Sequence, residues 1–266
     1  MLQLMRLCSV VCLSFAVFVT AQSLPPLNDG EPHGDPPFLL EEGWVPLLNG
    51  KDLRGWHARE GKPSEWIATR GIYWDPVANP RRLFAIPAAG DRILNGPKGN
   101  TTDLITDAKF GDVELYLEFL LPQRSNSGVY LHALYEVQIL DSFGKEQPLG
   151  WEDCGAIPKE QTEGKGFEGA PPLRNASRKP GDWQSYHIWF RAPRFDAGSR
   201  KTGNAIFLRV LHNGLLVHEN VEVSGPTLAH LKIPEASVNP LMLQGDHGPV
   251  AYRNIYIRPL RPMVKR

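Results

Sequence analysis

The chain has 266 residues, long enough to bury a sizeable core in one large all-β domain or in two smaller ones. Hydrophobic residues make up 42% and charged residues 22%, the balance of an ordinary globular protein. The 29 basic and 29 acidic residues cancel, and no basic stripe or nucleic-acid motif is present, so nucleic acid is set aside as a partner.

The N-terminal residues read as a separate region. Arg6 is a sparse positive start, LCSVVCLSFAVFV is an apolar run of secretory length, and VTA ending at Ala21 supplies small residues for cleavage. This predicts an export signal over residues 1–21 and a periplasmic or extracellular location. The run is too short to favour a membrane-crossing helix, so no transmembrane segment is expected in the mature chain. Cys8 and Cys12 leave with the signal, and Cys154 alone remains, so no intramolecular disulfide is available and the core must supply the stability. Residues 22–41, QSLPPLNDGEPHGDPPFLLE, are dense in proline, glycine and acid and predict a linker. The domain is expected over 42–266.

From GWVPLLNGKDLRGWH onward the pattern is one of short strands between turn signals. Predicted strands follow in the order EWIAT, IYWD, RLFAI, DLITD, VELYLEFLL, GVYLHALYEVQIL, SYHIWFRA, NAIFLRVLHN, LLVHENVEV, PLMLQG and RNIYIRPL. Asn213-Gly214 between two of them is a strong tight-hairpin signal. Many strands at short spacing with no long amphipathic helix argue for an antiparallel β-sandwich or jelly roll. The stretch from Lys145 to Pro180 is rich in Gly, Pro and charge, as expected of a lid, a binding loop or a disordered insertion.

SGVYLHALYEVQILD, residues 127–141, places a histidine, a glutamate, a glutamine and an aspartate inside an otherwise hydrophobic predicted strand. Alternation puts Val129, Leu131, Ala133, Tyr135, Val137 and Ile139 on one face and Tyr130, His132, Leu134, Glu136 and Gln138 on the other. The first face is core, and the second is either wet or the floor of a site. VELYLEFLL divides in the same way, with Glu114, Tyr116 and Glu118 opposite its apolar residues. Pairing of these two strands across LPQRSNS would set Glu114 against Glu136 and extend the polar floor. Further along, SYHIWFR puts His187, Trp189 and Arg191 on one face, and PLMLQG aims Met242, Gln244 and Asp246 together. The glycines Gly245 and Gly248 predict a bend that exposes His247, with Arg253 following it.

The series GWVPLLNGKDLRGWH, NSGVYLHALYEVQILDS and LQGDHGPVAYRNIYIRPL, in that order after an export signal, resembles the 3-keto-disaccharide hydrolase family. The resemblance covers roughly residues 42–260, and the Asn, Ser, Gly, Glu, Gln and Asp of the middle motif fall at the family's spacing. His132 departs from it, standing in a region where an arginine or similar residue is expected. The resemblance implies a concanavalin A-like β-sandwich acting on sugars whose C3 hydroxyl is oxidised to a ketone. Such a ketone acidifies the C2 proton, so a base can remove it, the glycosidic oxygen leaves C1, and water adds back for net hydrolysis. That route needs a base, a group that stabilises the enolate, and an acid for the leaving group.

Glu136, His247 and Asp141 are the candidate catalytic residues, with Asn126, Tyr130, His132, Gln138, Gln244 and Arg253 as candidate substrate contacts. Each has a plainer counterpart: a solvated strand acid for Glu136, a backbone cap for His247, a strand-ending turn for Asp141, and a packed or surface imidazole for His132. Glu136, Gln138, His132 and His247 are also a possible mixed oxygen and nitrogen site for a divalent metal, without an HExxH-like spacing to require one. An ordinary two-carboxylate glycosidase is disfavoured for Glu136 and Asp141, which an extended strand would hold roughly 16 Å apart on opposite faces. The alternative function is a lectin-like module that holds carbohydrate on the same fold without chemistry.

Overall fold

The computed structural model describes residues 39, 41–60, 63–86, 88–160 and 166–261. The expected export signal, and the linker apart from residues 39 and 41, lie outside the described residues. In chain order the strands are β1 (Val45–Pro46), β2 (Trp56–Ala58), β3 (Ile67–Thr69), β4 (Ile72–Tyr73), β5 (Phe84–Ala85), β6 (Arg92–Leu94), β7 (Leu104–Phe110) and β8 (Val113–Leu120). They continue with β9 (Asn126–Leu131), β10 (Tyr135–Leu140), β11 (Gln184–Arg191), β12 (Arg194–Phe195), β13 (Lys201–Gly203), β14 (Ala205–His212), β15 (Leu215–Val223), β16 (Asn239–Leu243) and β17 (Ala251–Pro259).

Two antiparallel sheets carry the fold: an eight-stranded sheet ordered β15-β14-β11-β8-β17-β6-β3, with β1 also on β17, and a five-stranded sheet ordered β10-β9-β16-β7-β2. Alternating residues of both sheets meet in one core that includes Leu115, Leu117 and Phe119 from β8, Ile188 and Phe190 from β11, Val129 and Leu131 from β9, Val137 and Ile139 from β10, and Leu241 and Leu243 from β16. This is the concanavalin A-like antiparallel sandwich that the strand pattern and the resemblance imply. The Asn213-Gly214 hairpin forms between β14 and β15, with φ of 50° and 76° at its two turn residues.

Two expectations about the polar strand are corrected. Residues 127–141 are not one strand but a hairpin, folded at His132, Ala133 and Leu134 so that Tyr135 pairs with Leu131 and Glu136 with Tyr130. His132 and Ala133 both take left-handed backbone angles, φ 57° and 55°, which non-glycine residues seldom adopt. Packing holds them there: the His132 ring lies 5.2 Å from Phe190, and its Nε2 lies 3.2 Å from the Gly111 carbonyl. The three-residue turn conserves parity, so Val129 and Val137 still share the core face, as do Tyr130 and Glu136 the outer one.

The second correction concerns β8, which does not pair with β9. It crosses to the other sheet and lies between β11 and β17, so Glu114 pairs with Trp189 and Arg258 in register rather than with Glu136. The polar faces of β8 and β9 therefore point away from each other on opposite sides of the sandwich. Part of the 145–180 stretch is built into the fold as an edge cover. The Gln138 amide donates to the Ala156 carbonyl at 2.9 Å and the Gly155 amide to the Gln138 carbonyl at 2.8 Å, closing the open side of β10.

Candidate functional site

On the outer face of the five-stranded sheet the register lines up two rows of side chains. Glu136, Tyr130, Met242, Ile105 and His57 lie across β10, β9, β16, β7 and β2. One step along, Gln138, Gly128, Gln244, Asp103 and Arg59 form a second row; it is fixed by the Gln244 amide on the Gly128 carbonyl at 3.0 Å and the Arg59 amide on the Asp103 carbonyl at 2.8 Å. The middle of the first row is apolar. Tyr130, Met242, Ile105 and Ala133 form a small cluster of their own, with Leu231 and Ile233 from the segment after β15 packed onto it. That segment roofs one end of the face and leaves the polar row at its margin.

Glu136 lies under this roof, with 4% of its surface exposed. A Cβ on Gly128 would stand 2.1 Å from Glu136 Oε1, so only glycine lets the carboxyl lie flat across β9. Burial pushes the Glu136 carboxyl up to about 8; the nearby Tyr130 hydroxyl pulls it down, and the Asp103 charge adds to the rise. The Tyr130 hydroxyl itself donates to the Leu228 carbonyl at 3.1 Å, which ties it to the roof. The Glu136 amide donates to Thr227 Oγ1 at 3.0 Å, so the acid's backbone is anchored to the same segment. An acid whose pKa lies near neutrality can gain or lose a proton at working pH, as a general acid or base must.

Charged residues lie along the second row and on the roof segment. Arg59 Nη1 donates to Asp103 Oδ2 at 3.0 Å, while Asp103 Oδ1 accepts the Gly245 amide at 3.1 Å. His230 Nδ1 donates to the Thr227 carbonyl at 2.7 Å; burial holds this imidazole below its ordinary pKa, and the charges of Lys232 and Arg59 lower it further. At the opposite end the bend after β16 is clamped by Asn95, whose amide nitrogen reaches the Gly245 carbonyl at 3.0 Å and the Gly248 carbonyl at 2.8 Å. The bend presents His247 half exposed, with Nδ1 2.5 Å from Asp246 Oδ1. A Cβ on Gly248 would come within 2.9 Å of the Asn126 amide nitrogen, so the bend packs on the start of β9.

The sequence candidates thus divide. Glu136, Tyr130, Gln138, Gln244 and Asn126 share the outer face of one sheet, and the bend that carries His247 packs at the Asn126 end of β9. Asn126 Oδ1 is buried there with no hydrogen-bond partner among the described residues. Asp141 serves another purpose: its carboxylate accepts the Arg124 amide at 2.8 Å and shapes the turn between β8 and β9. His132 is a packed turn residue, and burial depresses its pKa. Arg253 is on the far side of the sandwich, where its Nε donates to Glu118 Oε2 at 2.5 Å and its guanidinium lies 4.2 Å from the Trp183 ring centroid. The mixed metal site does not assemble, because His132 is held in the turn away from the polar row; among the described residues no three His, Cys, Asp or Glu side chains gather as metal ligands. Asp103, Arg59 and His230 went unnoticed in the sequence. Asp103 alternates with Asp107 around the apolar Ile105, which signals a polar face, but only the strand order places that face beside Glu136.

The family described as "3-keto-alpha-glucoside-1,2-lyase-like domain" matches residues 43–258. A solved structure from Parabacteroides distasonis ATCC 8503, described provisionally as a glycosyl hydrolase, is 25% identical, with a TM-score of 0.59, covering 82% of this chain and 84% of its own. A second protein of that organism with the same description is 21% identical, with a TM-score of 0.50, covering 82% and 99% of the two chains, and shares the fold. No match was found among curated proteins.

Proposed function

The chain belongs to the 3-keto-alpha-glucoside-1,2-lyase-like family, which gives it a carbohydrate-active role, and on that premise we propose that it cleaves glycosides carrying a ketone at C3. The observation that supports this reading is Glu136: a buried carboxyl with no cation paired to it among the described residues, held near neutral pKa at the edge of a polar row. In its ionised form Glu136 takes the C2 proton; the electrons of that bond form the enolate of the C3 ketone. The enolate collapses, the C1–O bond breaks, and the leaving oxygen takes a proton from His247, which Asp246 orients through Nδ1. Arg59, fixed by Asp103, supplies positive charge near the developing enolate. Addition of water across the resulting C1–C2 double bond gives net hydrolysis. Export, read from residues 1–21, is part of the same proposal.

The test sets a 3-keto-disaccharide beside its unoxidised parent. The wild-type protein is expected to cleave only the ketone, and Glu136→Gln to bind it without turnover. Equal cleavage of both sugars, or undiminished turnover by Glu136→Gln, removes the elimination route. Binding without cleavage by the wild type returns the lectin-like alternative.

A further inference from the structure

A hollow of about 550 Å³ lies at the end of the sandwich beyond the β8–β9 turn and has no part in the chemistry above. Three segments build it: the stretch carrying Trp74, the turn carrying Gln123, and the turn from Lys179 to Asp182, with Phe143 at its rim. One side-chain and two backbone hydrogen bonds fix these segments. The Trp74 indole N–H donates to the Pro80 carbonyl at 3.1 Å, the Gln123 amide donates to that same carbonyl at 2.9 Å, and the Gly181 amide donates to the Leu121 carbonyl at 2.9 Å. Gly181 lies directly on the indole, where a Cβ would come within 2.2 Å of Trp74 Cε3, so any side chain at this position would displace the ring. The hollow is therefore formed before any ligand arrives.

Its lining is amphipathic. Phe143 is 57% exposed, a large apolar ring with no core role, and Trp74 supplies a second aromatic surface that is half buried. Around them stand the Gln123 amide, the Lys179 ammonium and the Asp182 carboxylate, the last two 4.0 Å apart. A cation and an anion this close leave little net charge, so the site favours a neutral ligand rich in hydroxyls over an ionic one. A pyranose ring has that character: apolar C–H faces for the aromatic rings and a rim of hydroxyls for the amide, ammonium and carboxylate.

We propose that this hollow is a second carbohydrate site that holds one neutral pyranose unit of a larger glycan. The choice of sugar as ligand rests on the carbohydrate-active reading of the family; the shape and chemistry of the hollow stand without it. Its position suits an anchor. Gln123 lines the hollow, while two residues along the same turn Ser125 Oγ donates to the Pro249 carbonyl at 2.6 Å beside the His247 bend. The hollow and the bend thus share one end of the molecule.

The test is isothermal titration of the Glu136→Gln protein with maltotriose, cellotriose and laminaritriose, none of which carries a ketone. Saturable binding of at least one is expected, weakened about tenfold by a further Phe143→Ala change. Because Trp74 also supports the fold, Trp74→Phe is used to identify its indole N–H resonance, which should shift on addition of the bound trisaccharide. No binding by any of the three, binding unaffected by Phe143→Ala, or an unmoved Trp74 resonance overturns the proposal. The titration involves no turnover. Failure to cleave 3-keto-glycosides would leave a positive titration standing, and a failed titration would leave the Glu136 reading standing.

Discussion

The two outer faces of the sandwich bury the same kind of side chain and treat it in opposite ways. On the eight-stranded sheet Glu114 is 3% exposed and Glu118 1%, and each meets an arginine: Arg258 Nε donates to Glu114 Oε2 at 2.7 Å and Arg253 Nε to Glu118 Oε2 at 2.5 Å. His187 adds a 2.7 Å contact to Glu114, and Glu41 meets the other side of Arg258 at 2.9 Å. Burial by itself raises the Glu114 pKa, yet the bonds from His187 and Arg258 outweigh it and hold the carboxyl below its ordinary value. Glu136 on the five-stranded sheet is equally buried and meets a tyrosine and another acid's field instead, so burial prevails and its pKa rises. The counter-ion, rather than the burial, separates a charge that fastens strands together from one able to exchange a proton.

Substitutions on the two faces should therefore have opposite signatures. The largest expected effect is on chemistry: Glu136→Gln should lower kcat on a 3-keto-disaccharide by about 10²–10⁴-fold while circular dichroism reports an unchanged fold. On the opposite face Arg258→Met leaves Glu114 without its principal cation and should cost about 3–5 kcal/mol in chemical denaturation, with cleavage per folded molecule retained. Full stability of Arg258→Met would end the contrast between the faces.

The pH dependence sharpens the same contrast. The folded-state pKa of Glu136, about 8, stands above the ordinary 4.5, so the stability that neutral Glu136 contributes is complete below about pH 4.5 and is lost as pH rises through about 8. Thermal denaturation across that window should show a loss of a few kcal/mol, at about 1.36 kcal/mol per pKa unit, which Glu136→Gln abolishes. Cleavage should run the other way, rising toward pH 8 as the base ionises; a profile that falls over that range assigns Glu136 as an acid instead. A smaller effect is expected from Asp103→Asn, which removes a charge that raises the Glu136 pKa and should move the rising limb of the profile to lower pH. Least of all should change in Arg253→Ala, whose cleavage rate is expected to match the wild type because the sandwich core separates it from Glu136.

Much of the sandwich is legible in the strand alternation. VELYLEFLL and SYHIWFRA give their inward and outward faces correctly, because a period of two needs no knowledge of the partner strand; in NAIFLRVLHN a bulge breaks the alternation, so that Phe207 and Val210 both enter the core. The β9–β10 turn escaped notice for a physical reason. Turns are read from Gly, Asn, Asp and Pro, whereas His132 and Ala133 are held at positive φ by the packing of the His132 ring on Phe190, a contact with a residue 58 positions away in sequence. Glu136 could still be assigned to its proper face, since the tight hairpin returned odd-numbered residues opposite odd ones.

The amino-acid order by itself determined the strand faces, the polar character of the Glu136 face, the bend that presents His247 and the family. It determined these because each depends on neighbours within a few residues or on a motif read along the chain. Only the tertiary structure decided that β8 crosses to the opposite sheet, that Arg253 and Glu114 therefore leave the site, and that Asp103, Arg59 and His230 enter it. Those outcomes follow from which strands pair across long loops, and side-chain alternation is the same whichever neighbour a strand takes.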